Sequence, residues 1–117
     1  MTLQEREARA CAIIDSMTEE LRDISLYLHD NPELGLNEHK AVKIIHQFLE
    51  NHNFTSQVGL TDYPELQTAL RGDHNHDARY KIAFLGEYDA LPELGHGCGH
   101  NLIAMMSLGA AIAFSQS

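Results

Sequence analysis

Ile82-Ala-Phe-Leu85-Gly86-Glu-Tyr-Asp-Ala-Leu-Pro-Glu-Leu-Gly-His-Gly-Cys-Gly-His-Asn101 decides how this chain is read, because an apolar strand-like run passes straight into a stretch dense in ligand-type side chains. Glu87, Asp89, His96, Cys98 and His100 all fall between Gly86 and Asn101. Carboxylate, imidazole and thiolate are the side chains that bind zinc well, and alternation with glycine lets the backbone turn so that Cys98 and His100 reach one ion. A metal or catalytic site is the expectation.

Working outward, Tyr80 to Leu85 reads as a strand entering this stretch, and a helix leaves it. Asn101 is placed to cap that helix, and Leu102, Ile103, Met105, Met106, Leu108, Ala111, Ile112 and Phe114 make it apolar on nearly every side. The Met105-Met106 pair reads as core filling. Upstream, Leu3, Ala10, Ile13, Ile14, Met17, Leu21, Ile24 and Leu28 recur at helical spacing, predicting one long amphipathic helix from Thr2 to His29. A loop signature follows at Asp30-Asn-Pro-Glu-Leu-Gly35. A second helix is expected from an Asn37 cap to about Asn51, with Val42, Ile45, Phe48 and Leu49 as its buried face. Phe54 to Leu60 and Leu66 to Arg71 look like short strands.

Helices, then strands, then a site at the carboxyl end of a strand and a further helix describe the front of an α/β domain, where ligands gather beyond the strand ends. Ser117 follows directly on a helix so apolar that it needs more strands to cover it. Residues 1–117 are therefore expected to form part of a catalytic domain rather than a whole one.

Composition narrows the function. With 117 residues and 44% hydrophobic content the chain is long enough for one core. A formal charge of -9 argues against nucleic acid, whose binders cluster Lys and Arg. Cys11 and Cys98 are far apart and form no disulfide framework, the N-terminus lacks a signal core, and no apolar run reaches the roughly 18 residues that span a bilayer. A soluble cytoplasmic protein with no membrane partner is expected. Cys11 reads as a packed helical residue, and His74 and His76 as members of a polar turn.

Glu87-Tyr-Asp-Ala-Leu-Pro92 followed by Gly95-His-Gly-Cys-Gly-His-Asn-Leu102 resembles the two metal-site motifs of metallopeptidase family 20, which holds aminoacylases, carnosinases and auxin-conjugate amidohydrolases. Within it the chain looks most like the branch of aminobenzoyl-glutamate hydrolases and β-alanyl-lysine or Xaa-Arg dipeptidases. Leu28-His-Asp-Asn-Pro-Glu-Leu-Gly35, with Glu38 after it, resembles that branch's upstream pattern, so the likeness runs from about Leu21 to Phe114.

The resemblance implies a three-layer mixed-sheet zinc-peptidase catalytic domain of which this is the N-terminal part. It implies Cys98 and His100 as metal ligands and Asp89 as the acidic residue that supports the metal site. Glu87 stands where other branches carry a metal-binding histidine, and with His96 and Asn101 it is placed outside the ligand set, beside the metal or the substrate. His29, inside the upstream pattern, lies where it reaches toward the site. The reaction implied is hydrolysis of an amide or peptide bond in a small dipeptide or N-acyl amino acid, by water bridging two divalent ions, zinc by family, in a homodimer. A glutamate serves as general base in a later Glu-Glu motif, whereas this sequence has no Asp, Glu, His or Cys after Asn101, so the 117-residue chain alone is expected to be inactive. The alternative is a non-catalytic module that binds metal weakly or pairs with a full-length subunit. A closed structural zinc site is disfavoured because it needs four ligands.

Overall fold

Ser16-Met17-Thr18 breaks the first helical run in two. In the computed structural model, which describes residues 1–117, α1 spans Leu3–Ser16 and α2 spans Thr18–Asp30, and Met17 between them has φ -100° and ψ 6°. The single helix expected from Thr2 to His29 is thus corrected. The Ser16 hydroxyl donates to the Ile13 carbonyl at 2.6 Å and that of Thr18 to Asp15 at 2.8 Å, which competes with the helical ladder and bends it. α1 opens with a reciprocal cap, Glu5 N–H donating to Thr2 Oγ1 and Thr2 N–H to Glu5 Oε2. None of its residues is buried, and Cys11, expected to be packed, lies exposed.

α3, His39–Asn51, buries Ala41, Val42, Ile45, Phe48 and Leu49 on one face. Its start differs from the Asn37 cap expected. Glu38 is the capping residue, and the side chain that satisfies the orphan amides is Glu33, whose carboxylate accepts from the N–H groups of Lys40 (2.9 Å) and Ala41 (2.8 Å).

β1, Thr55–Val58, and β2, Leu70–Asp73, form one antiparallel hairpin in which Thr55 faces Asp73 and Val58 faces Leu70. β2 starts later than the expected Leu66 because Tyr63 and Leu66 accept turn hydrogen bonds from the N–H groups of Leu66 and Ala69. The hairpin lies against α3. α4, His100–Gln116, packs along α1 and α2, so helices α2, α3 and α4 enclose the core around Leu28, Ile45, Phe48 and Ile112.

Two further expectations are corrected. Tyr80 to Leu85 runs without helix or strand and makes no ladder, because an extended segment becomes a strand only when paired with another, and the hairpin does not pair with it. Gly86 brings this segment tight against α4, where an added Cβ would come within 3.0 Å of the Ser107 Cβ. On α4 itself Met105 is buried but Met106 is 72% exposed, with Leu102 and Phe114, so one side of the helix is uncovered. The architecture is a mixed helix and strand domain, and no helix is long and apolar enough to cross a membrane.

Candidate metal and catalytic site

Residues 84 to 89 set the geometry. In an extended backbone, successive side chains point to opposite sides. Phe84, Gly86 and Tyr88 line a cavity with Ile45, Ala104 and Ser107, while Glu87 and Asp89 turn outward to meet His100. Ala90 then ends the segment, its N–H donating to the Glu33 carbonyl at 2.7 Å.

Beyond it the chain doubles back. Leu91 and Gly95 exchange backbone hydrogen bonds at 2.9 and 3.1 Å, closing a tight loop in which Glu93 and Gly95 take positive φ. Gly99, at φ 83°, redirects the backbone into α4, a left-handed turn that a side chain would resist. Gly99, not Asn101, is the capping residue, which puts His100 in the first helical position.

His100 is the centre of the site. Its Nδ1 lies 2.8 Å from Asp89 Oδ1 and 3.1 Å from the Asp89 carbonyl oxygen. Both are acceptors, so they hold a proton on Nδ1, and the neutral form of the ring then has its lone pair on Nε2. Glu87 Oε2 stands 4.0 Å from that Nε2. A histidine held by a carboxylate through one nitrogen, with the other open, is the arrangement in which imidazole ligates metal.

The other expected residues divide. Cys98 is exposed on the turn before Gly99. His96 is half-buried, and its Nδ1 is enclosed without a hydrogen-bond partner. Burial pushes its pKa below the usual histidine value, His29 and His100 push the same way, and Asp89 and the Leu28 carbonyl oppose them. Asn101 points away, into the helix interface, where its Nδ2 donates to the Ser25 carbonyl (3.3 Å) and Oγ (3.2 Å) and ties α4 to α2. His29 contacts Asp30 at 3.3 Å.

The donor set fits a metal in part. His100 presents a free, oriented nitrogen beside a carboxylate, but no group of three or more His, Cys, Asp or Glu side chains is assembled to hold an ion.

Tyr88, Thr68 and Glu38 form a unit that no spacing in the sequence marks. The Tyr88 hydroxyl donates to the Thr68 carbonyl, the Thr68 hydroxyl donates to Glu38 Oε2, and Glu38 Oε1 accepts from Leu36 N–H at 2.6 Å. Thr68 and Glu38 are buried. Burial, and then the Glu38 charge, push the Tyr88 phenol up to about 12. The available signal was the alternation itself, which puts Tyr88 inward.

No protein-family model matches the chain. Individual proteins do. Xaa-Arg dipeptidase of Homo sapiens is 34% identical over 113 residues, covering 89% of the chain and 26% of the relative. A p-aminobenzoyl-glutamate hydrolase subunit of Escherichia coli (strain K12) is 31% identical, with 86% and 24% covered. N-acetyldiaminopimelate deacetylase of Lactococcus lactis subsp. cremoris (strain SK11) is 32% identical, with 83% and 29% covered. The chain spans about a quarter of the length of the curated relatives it matches.

Proposed function

We propose, from the premise that the chain is a homologue of the amidohydrolases of metallopeptidase family 20, that it contributes to a metal-dependent active site hydrolysing an amide or peptide bond. The substrate class is a small dipeptide or N-acyl amino acid, and the metal is zinc. On this reading residues 1–117 are one part of a three-layer catalytic domain, which acts as a homodimer in the cytoplasm.

Cys98 and His100 would hold the metal. When bound, zinc polarises the scissile carbonyl and acidifies its water. The chain's own contribution is preparation of the ligands. Asp89 accepts the Nδ1–H of His100, fixing the ring so that Nε2 faces outward, and raises its basicity. Glu87 places a carboxylate beside that nitrogen. The 2.8 Å contact between Asp89 and His100 is the observation that carries the proposal.

The test combines metal analysis with hydrolysis of an Xaa-Arg dipeptide, β-alanyl-lysine and aminobenzoyl-glutamate by the protein carrying this chain. Wild type should cleave at least one, and Cys98→Ala and His100→Ala should each lose metal and turnover. Full metal content and wild-type turnover in Cys98→Ala would overturn the ligand assignment. A second reading, a non-catalytic module that holds metal weakly, draws support from the lack of a three-ligand group, and wild-type protein that takes up zinc but cleaves none of the three would favour it.

A further inference from the structure

Asp89 sits in a segment with no strand beside it, and a slip of one residue there would turn Asp89 inward and Tyr88 outward. Something must hold the register. Two anchors flank Asp89, one on each neighbour. Before it, the Tyr88 hydroxyl is bonded to the Thr68 carbonyl, and Thr68 in turn to the Glu38 carboxylate. After it, Ala90 N–H donates to the Glu33 carbonyl at 2.7 Å.

Both anchors lead back to the same turn, residues 33 to 38. Glu38 steadies that turn by accepting from Leu36 N–H, at a leucine held in the left-handed region with φ 72°. Glu33 steadies it by capping α3. The Tyr88 ring packs against the core and cannot swing out without opening the cavity beneath it.

We propose that Tyr88 and Glu38 are positioning residues, forming with Thr68 a clamp that holds Asp89 on His100 Nδ1 and so keeps the ring's Nε2 open. This rests on the hydrolase reading only for its purpose; the clamp itself is a statement about one hydrogen bond. Tyr88 makes no hydrogen bond to His100, and acts through the backbone it fixes. The high phenol pKa keeps the hydroxyl a donor throughout the neutral range.

The experiment reads the His100 tautomer in metal-free protein carrying isotope-labelled histidine, by long-range proton–nitrogen correlation, with His100→Gln to assign the signal. Zinc affinity is measured alongside. In wild type His100 should be the Nδ1–H form. Tyr88→Phe, which keeps the ring, should shift it toward Nε2–H and weaken zinc about 10- to 100-fold, as loss of a ligand's outer partner does. Glu38→Ala should do the same, and Glu38→Gln, whose one amide oxygen still accepts from Leu36 N–H while its NH2 donates to the Thr68 hydroxyl, should restore part of the loss. If Glu38→Ala fails to fold, Tyr88→Phe decides alone. An unchanged tautomer in folded Tyr88→Phe overturns the clamp even where zinc binding and hydrolysis persist. A shifted tautomer in a protein that binds no zinc supports the clamp and defeats the hydrolase reading instead.

Discussion

α3 and the segment from Tyr80 to Asp89 are both apolar on one side and polar on the other, yet one is covered and the other is not. Phe48 on α3 is 2% exposed, whereas Ile82, on the same side of the segment as Phe84, is 63% exposed, and Leu85 on its outer side is 90% exposed. The difference lies in what each element needs. A helix satisfies its own backbone and asks only for apolar neighbours, which α2 and the hairpin supply. An extended segment needs a second strand for its N–H and C=O groups, and here it faces α3, α4 and Leu70 and Gly72 of β2 across a cavity without pairing to any of them. The site grows out of the second kind of region, so its geometry depends on a few hydrogen bonds from remote turns.

The largest effect belongs to the covered region. Phe48→Ala should cost about 3–5 kcal/mol, since a fully enclosed ring leaves a cavity that its neighbours cannot fill. Denaturant unfolding measures it. A loss below about 1 kcal/mol would mean that α3 is no better packed than the segment, and the contrast would fail.

The middle effect lies where the two regions meet. Tyr88 is buried enough that its phenol is raised from 10.0 to about 12, with Glu38 as the charged neighbour that adds to the shift. The folded state holds this proton more tightly than the unfolded chain. Its contribution to stability is therefore complete below pH 10 and is lost as the pH rises through 12. Unfolding midpoints measured across that window should fall more steeply for wild type than for Tyr88→Phe. Parallel curves would show that the hydroxyl is not enclosed, and the segment would then be held only by the Ala90 bond to Glu33.

What was legible in the residues follows the same division. The buried face of α3 could be read because Val42, Ile45, Phe48 and Leu49 are near in sequence and their partners lie within the chain. The strand-like character of Tyr80 to Leu85 was equally visible, but pairing is a property of two segments and no pattern in one of them reports it. The break at Met17 was hidden because periodicity continues through it, while the Ser16 and Thr18 hydroxyls redirect the backbone. At the site, the contact of Asp89 with His100 joins residues 11 positions apart and depends on the loop that Leu91 and Gly95 close between them. Asn101 falls inside α4 and not at its cap, because Gly99 starts the helix two residues earlier than a side-chain cap would. The Tyr88–Thr68–Glu38 network joins residues 20 and 30 positions apart, which only the folded chain brings together.

The smallest effect is the sharpest test of the uncovered region. Leu85 is 90% exposed, and Phe84 beside it turns to the other side, where its ring meets Phe114 with centroids 5.9 Å apart. Removing apolar surface that water already reaches forfeits no burial, so Leu85→Ser should change the stability of the 117-residue chain by no more than about 0.5 kcal/mol. Phe84→Ser, on the cavity side, should cost more, because it strips a wall from the space beneath Tyr88. The pair of variants separates exposure from composition, since both replace an apolar residue by the same polar one at adjacent positions. A loss above about 1 kcal/mol at Leu85 would place that side chain under cover, in contact with another chain or another part of the fold, and the segment would then belong with α3 rather than opposite it.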